Sequence, residues 1–183
     1  MLRSLRSRLG RDQRGIAAVE FALVLPVMIL FSMGIAEVGR FALLSLKLQH
    51  AATTMGDLAS RDEELSVAAV QSMFSAMEHI VQPFTIGAAG VVLVSGVGVD
   101  GGGAPTVFWQ QRGAGTLSAV SEVGVAGGNA TLPSGLVLRD GETVIIAEAV
   151  FRYTPWLLGL IPERILRREA YYRPRLGTLR ALS

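Results

Sequence analysis

The N-terminal part of the chain contains a long uncharged run. No residue from Phe21 to Ala36 carries a charge. Residues 16–36 as a helix would be about 30 Å long at about 1.5 Å per residue. That length matches the hydrocarbon core of a bilayer, so the pattern predicts one membrane-spanning helix over residues 16–36. Pro26 lies inside the run, where membrane helices tolerate proline better than soluble helices do.

Helical periodicity continues beyond this run. Apolar residues recur every three or four positions on one stripe: Phe41, Leu44, Leu48, Ala51, Met55 and Leu58. We therefore expect the first helix to extend from Ile16 to about Ala59, with its later part at about 37–59. The stripe would pack into the core of a head domain or, alternatively, against partner helices.

A second helix is expected after the first. Ser60 followed by Glu63 predicts a capping box, and hence a helix over about 61–81 that ends before Pro83. The expected buried face of that helix consists of Val67, Val70, Phe74, Met77 and Val81.

Strand patterns fall mainly in residues 86–112 and 143–175. The first region predicts a hairpin that turns at Asp100–Gly103, and the second begins with the clearest strand, Thr143–Tyr153. Residues 113–142 are rich in glycine and predict loops with weak strand content. The fold class is therefore α+β, a long N-terminal transmembrane helix followed by a head with a second helix and an antiparallel sheet.

Alternation along the clearest strand separates two faces. Glu148 and Arg152 fall on one face, and the opposite face carries Ile145, Ala147, Ala149, Phe151 and Tyr153. We expect a last strand over residues 164–173, with Tyr171 or Tyr172 packed on the sheet.

Charge predicts the orientation of the span. Five arginines and one acid precede Gly15, and an excess of basic residues marks the cytoplasmic side of a membrane helix. Residues 1–15 would then form a basic cytoplasmic leader, and residues 37–183 an extracytoplasmic head. A secretory signal peptide is the alternative, but its apolar region is shorter and lacks a glutamate such as Glu20. The chain contains no cysteine, so the head would depend on its core rather than on disulfides.

Signals for catalysis are weak throughout the chain. His50 and His79 lie on predicted helices without partners at metal-ligand spacing, which indicates surface or packing roles. Gly96–Gly101 matches a loose G-x-G-x-x-G pattern, but no helix is predicted after it, so the pattern indicates a turn. We expect no enzymatic activity, no catalytic residue, no metal site and no cofactor.

The segment around Gly15 carries the most specific signal. Arg14 and Gly15, followed by the sequence IAAVEFALVLP from Ile16 to Pro26, resemble the N-terminus of TadE/TadG-like pseudopilins of the tight-adherence (Tad) pilus system. Type IV prepilins share the pattern more loosely. Residues 148–156 and 173–175 are also similar to the family's C-terminal part.

The resemblance implies a processing site. A prepilin peptidase would cut on the cytoplasmic side between Gly15 and Ile16, which makes Glu20 the fifth residue of the mature chain and Phe21 the aromatic residue that follows it. The new amine of Ile16 could neutralise Glu20 in the same chain or in an adjacent subunit, because buried charges persist only when they are paired. Alternatively, Glu20 extends to the membrane surface and has no such role.

Two further regions are candidates for interactions. Pro155–Pro162 is apolar and too short to span a bilayer. It would cover the core or form a membrane or subunit interface through Trp156, Leu157, Leu158 and Leu160. The arginines after residue 163 would form a solvated, salt-bridged face or contact anionic headgroups or an acidic partner. Nucleic acid is not an expected partner, because this part of the chain would lie outside the cytoplasm.

The resemblance implies a TadE-like minor pseudopilin that takes part in assembly of an adhesive Tad pilus, with a pilin-like head. It would be a single-pass protein of the bacterial inner membrane, with a cytoplasmic N-terminus and a periplasmic head, and it would enter the fibre or stay at the assembly platform. The implied partners are the prepilin peptidase, other pilins and pseudopilins, the Tad assembly platform and the bilayer, with no small-molecule substrate. The alternative is an uncleaved single-pass anchor whose periplasmic domain binds a ligand or an envelope component. A membrane-tethered enzyme is disfavoured, because no set of polar residues converges in the sequence.

Overall fold

The computed structural model describes residues 15–183, which form two compact units. The anchor unit comprises the described residues up to Arg40 together with Pro155–Pro162. The head unit comprises Phe41–Thr154 and Glu163–Ser183. The leader arginines, and with them the basis of the predicted orientation, lie outside the described residues.

Helix α1 spans Ile16–Ala59 and continues without a break through Pro26. Its extent agrees with the predicted first helix. Within the head unit, most of the predicted apolar stripe is buried, with Leu44 and Leu48 each 1% exposed and Met55 fully enclosed. The stripe therefore packs into the head core, as the first of the two alternatives predicted.

Helix α2 spans Val67–Val81 and begins later than predicted. Ser66, rather than Ser60, is its N-cap, and the Ser66 hydroxyl accepts a hydrogen bond from the Ala69 amide at 3.1 Å. The predicted capping box is wrong, because the Ser60 hydroxyl instead donates to the Asp57 carbonyl at the end of α1.

The C-terminus accounts for this late start. Ser183 donates a backbone hydrogen bond to the Leu65 carbonyl and accepts one from the Val67 amide, both at 3.1 Å. These bonds hold Leu65 in a parallel bridge with Leu182, where a helix could not continue. The predicted buried face of α2 is confirmed except for Val67, which is 42% exposed at the first turn.

Four strands form one antiparallel sheet. They are β1 (Gly90–Gly98), β2 (Thr106–Gly113), β3 (Thr143–Tyr153) and β4 (Arg164–Tyr172), in the order β2-β1-β3-β4. A short 3-10 helix, Gly87–Ala89, precedes β1. The predicted hairpin, the clearest strand and the last strand are all confirmed, and so is the α+β fold class.

A β-bulge interrupts the β1–β2 hairpin. The register between the strands shifts between Gly96 and Val97, and Trp109 pairs with Gly96. A side chain at Gly96 would overlap the indole of Trp109, so the close approach requires glycine at this position.

Both faces of the sheet are covered. On one face, Tyr172 and Ala147 lie against Gly56 of α1. On the other face, Val123 and Leu138 from the long β2–β3 connection join a buried cluster. The rest of this cluster consists of valine and isoleucine side chains in or next to β1, β2 and β3: Val97, Val99, Val107, Val144 and Ile146. The connection forms loops, as predicted, with one isolated bridge between Asn129 and Thr106, and it adds two buried side chains to this cluster.

This second cover explains the burial of Glu148. The alternation of β3 places Glu148 on the face opposite Ile145, as predicted, and its side chain is fully buried there. Its carboxylate pairs with the Arg167 guanidinium and accepts hydrogen bonds from the Ser121 hydroxyl and from the Glu122 amide, the latter at 3.0 Å. The pair is therefore a structural element of the head core.

Candidate functional site

The predicted processing residues lie at the start of α1. Gly15 immediately precedes the helix, and a side chain added there would meet nothing within 4 Å. Ile16 is the first residue of α1 and is 52% exposed. The Gly15–Ile16 bond therefore lies at the first residue of α1, and no other described residue crowds Gly15.

Glu20 and Phe21 follow within the next two turns. Glu20 is exposed, and Phe21 is 61% exposed. Among residues 15–183, no side chain or backbone group forms a hydrogen bond or ion pair with the Glu20 carboxylate. Residues four apart on a helix are neighbours, so Ile16 and Glu20 share one side of α1, and an amine created at Ile16 would lie beside this carboxylate.

Helix α1 is the one candidate transmembrane helix among residues 15–183. Its most apolar window has a mean hydropathy of 2.3, and none of that window is buried by the rest of the chain. In water such a surface would be unfavourable, so its exposure is consistent with a single-pass membrane anchor.

Pro155–Pro162, which we call the apolar loop, connects β3 to β4 and belongs to the anchor unit. The Leu158 amide donates a hydrogen bond to Glu37 Oε2 at 2.8 Å. The Arg40 guanidinium lies 5.4 Å from the centre of the Trp156 ring, and Leu160 Cδ1 lies 3.3 Å from where a Cβ of Gly34 would be. The loop therefore packs along one side of α1 between Gly34 and Arg40.

The predicted interface residues of this loop are largely exposed. Trp156 is 60% exposed and Leu160 58%, while Leu157 and Leu158 are 38% and 37% exposed. This exposure favours an interface over a core-covering role, and the interface stays a prediction.

Glu37 is a site residue that the sequence did not reveal. It is fully buried, and its Oε1 atom has no hydrogen-bond partner among residues 15–183. The available signal was its place as the first charged residue after the uncharged run. Its partner, the Leu158 amide, lies 121 residues away, so no local pattern shows the pairing.

An apolar groove lies between α1 and the loop. Its volume is about 750 Å³, and its walls are Leu30, Phe31, Gly34, Ile35, Val38, Gly39, Leu158 and Leu160. The two glycines open the groove because they leave the surface of α1 without side chains between the larger residues.

The other predicted chemical features lie apart from these sites. His50 and His79 are exposed on α1 and α2, and no cluster of three metal-ligating side chains occurs in residues 15–183. Gly96–Gly101 forms the end of β1 and the following turn, as predicted. Most of the C-terminal arginines pair with carboxylates of the head, which favours the salt-bridged interpretation: Arg167, Arg173, Arg175 and Arg180.

Comparison with known proteins gives a family match in the N-terminal segment. Searches of curated proteins and of solved structures gave no match. The family model described as "TadE-like protein" matches residues 15–54, which include Gly15, Glu20 and most of α1 but none of the sheet. Residues 15–54 of this chain are therefore similar to the TadE-like protein family, as the sequence around Gly15 predicted.

Proposed function

We propose that this protein is a TadE-like minor pseudopilin that takes part in assembling a Tad-type adhesive pilus at the bacterial inner membrane. The observation that carries the proposal is the TadE-like match over residues 15–54, which coincides with the exposed apolar part of α1 and its first turns. The family indicates a pilus-related, structural role rather than an enzymatic one.

In this proposal a prepilin peptidase cuts the Gly15–Ile16 bond. Glycine has no side chain to obstruct an extended backbone in a protease cleft, and this bond lies outside the packed parts of the chain. Cleavage removes the basic leader and leaves an ammonium group on Ile16. The peptidase acts on this chain as a substrate, so the chain itself needs no catalytic residue.

The new ammonium group gives Glu20 a partner. An ionised carboxylate in hydrocarbon is unfavourable, by roughly 2.5–3.5 kcal/mol at a helix centre and by less near an end. The Ile16 amine of the same chain, or of an adjacent subunit, offsets this cost by pairing with Glu20. Pairing between subunits would set their axial register, which makes Glu20 and Phe21 the proposed docking residues.

The first experiment determines the N-terminal residue and mass of the protein in membranes that contain the peptidase. We expect a mature chain that begins at Ile16, and we expect Gly15→Arg to abolish the cleavage. Gly10→Arg is the matched control, because it adds the same charge to the leader but leaves the bond intact. A full-length chain in these membranes would overturn the processing step and favour the uncleaved anchor with a periplasmic binding domain.

The second experiment tests Glu20. Glu20→Gln should insert and be cleaved normally, because it removes a charge from the span, but it should lower the yield of surface pili. Val24→Gln places the same amide one turn further along α1 and keeps Glu20, so it should assemble better than Glu20→Gln. Normal pilus yield with Glu20→Gln would show that Glu20 has no role in docking.

A further inference from the structure

The apolar loop has the chemistry of a membrane-surface anchor. We propose that Pro155–Pro162 inserts shallowly into the leaflet at the head end of α1, and that lipid acyl chains fill the groove between the loop and the helix. This inference rests on α1 crossing a bilayer, but it does not depend on cleavage after Gly15 or on pilus assembly.

Position along α1 places the loop at the edge of the hydrocarbon. Gly34, which Leu160 contacts, lies about 27 Å from Ile16 along the helix, within a hydrocarbon core of about 30 Å. Arg40, which lies over Trp156, is about 36 Å from Ile16 and so falls in the headgroup region. The loop therefore meets the leaflet with leucine on the hydrocarbon side and with tryptophan at the interface.

The side chains match this gradient of polarity. Tryptophan is enriched where membrane meets water, because its ring is apolar and its N–H is polar. An arginine beside it keeps its guanidinium among headgroups while its alkyl stem covers apolar surface. Trp156 and Arg40 form such a pair, and the most exposed of the three leucines of the loop, Leu160, contacts Gly34.

Backbone hydrogen bonding also fits a shallow position. A polar backbone group that enters an apolar medium without a partner is costly, so irregular segments near a membrane need internal partners. The Leu158 amide is satisfied by the buried carboxylate of Glu37, and the two prolines that bound the loop have no amide hydrogen. Glu37 therefore serves as the internal acceptor that lets the loop lie against lipid.

Lipid is the occupant that best explains the groove. Leu30, Phe31 and Ile35 form one wall and belong to the exposed face of the candidate span, so the groove is continuous with a surface that a bilayer covers. Its lining is apolar, as acyl chains require, and the positive Arg40 lies near its rim, where lipid phosphates are found.

Tryptophan fluorescence can locate the loop. The chain has two tryptophans, so Trp109→Phe leaves Trp156 as the one reporter. We expect the full chain in phosphatidylglycerol-containing vesicles to show stronger quenching of Trp156 by lipids brominated near the headgroup than by lipids brominated near the chain end. Trp156→Phe is the matched control, because it leaves the buried Trp109, which brominated lipid should not quench. Quenching of Trp156 by aqueous acrylamide alone would overturn the proposal.

Cysteine labelling gives a test that keeps both tryptophans. The chain has no cysteine, so Leu160→Cys and the control Val137→Cys, at a head position 77% exposed, each introduce one thiol. In nanodiscs that hold one chain each, a charged maleimide should label Val137→Cys and spare Leu160→Cys. Equal labelling would overturn the inference, and so would protection that appears only when several chains share a disc, because a second copy would then cover the loop.

Carbonate extraction distinguishes a failure of this inference from a failure of the membrane-spanning role of α1 on which it rests. Release of the chain from vesicles at alkaline pH would contradict the membrane-spanning role of α1 and thus the basis of both proposals. Retention of the chain together with a water-accessible loop would contradict this inference alone.

Discussion

At the scale of single residues, two carboxylates are buried among residues 15–183, one in each unit. Glu148 is buried in the head and paired with Arg167, while Glu37, which belongs to the anchor unit, is also fully buried and accepts a hydrogen bond from the Leu158 amide. Alternation predicted the face of Glu148, because side-chain direction in a strand is a local property. Neither burial was predictable, because the covering segments are distant in sequence and carry no periodic pattern.

The Glu148–Arg167 pair should be important for stability. Glu148→Ala leaves the largely buried Arg167 without its main partner, so we expect the free energy of unfolding to fall by about 3–5 kcal/mol. Chemical denaturation of the full chain in detergent would measure this. Glu163→Ala removes the exposed pair with Arg152 and should have little effect, and equal losses in the two variants would contradict the prediction.

Tyr171 should make head stability depend on alkaline pH. Burial raises the pKa of the Tyr171 hydroxyl, and the hydrogen bond that it donates to Glu169 raises the pKa further. The unfolded chain ionises this group near its usual pKa of about 10, so the stabilisation is complete below that pH and is lost as the pH rises above it. The free energy of unfolding should therefore fall more steeply above about pH 10 in the native sequence than in Tyr171→Phe. Parallel pH profiles would argue against this assignment.

At the scale of elements, α1 was predictable to its ends, but the start of α2 was not. The bounds of α1 follow from apolar periodicity, which is local. The start of α2 depends on the last residues of the chain, which hold Leu65 extended. The N-cap is therefore Ser66, although the local sequence predicted a cap at Ser60.

The two candidate caps can be compared directly. Ser66→Ala should lower the free energy of unfolding by about 1 kcal/mol, because the Ala69 amide loses its acceptor. Glu63→Ala tests the capping box that the structure lacks and should have no comparable effect. Denaturation midpoints of the two variants give the answer, and a greater loss in Glu63→Ala would favour the earlier helix start.

The hairpin bulge requires glycine at one strand position. Gly96→Ala would force its new methyl group against Trp109, so we expect a loss of about 1–3 kcal/mol from overpacking. Gly103→Ala, in the hairpin turn, meets only the Asp100 carbonyl at 3.4 Å and should be nearly neutral. Thermal unfolding followed by circular dichroism would show the contrast, whereas similar midpoints would mean that the indole moves aside without cost.

At the scale of the whole molecule, local patterns predicted the order of the elements but not the contacts between segments that are distant in sequence. Helix, hairpin and later strands each have a local period or turn signal, and these signals gave the α+β class. The apolar loop leaves β3, contacts α1 at Gly34–Arg40 and then enters β4. This contact between the loop and α1 depends on one hydrogen bond to Glu37 and on the fit of the two surfaces, and neither leaves a pattern in the sequence.

The division into two units predicts that the head folds without the anchor part of α1. A fragment of residues 41–183 keeps the clusters around Val97 and Val91, because all their members belong to the head unit. It should show cooperative unfolding by circular dichroism, since a core of this kind is the main source of stability. An unfolded fragment would mean that residues 15–40 are needed for the core.

The same fragment tests the proposed contribution of the apolar loop to membrane binding. Without residues 15–40 the loop loses Glu37, the acceptor of its Leu158 amide, but keeps its exposed tryptophan and leucines, so the fragment should bind phosphatidylglycerol vesicles weakly but measurably in a flotation assay. Leu158→Ser combined with Leu160→Ser should abolish flotation and leave the unfolding midpoint unchanged, because neither side chain belongs to the head core. Flotation that survives these changes would assign membrane affinity to the arginines of the head instead.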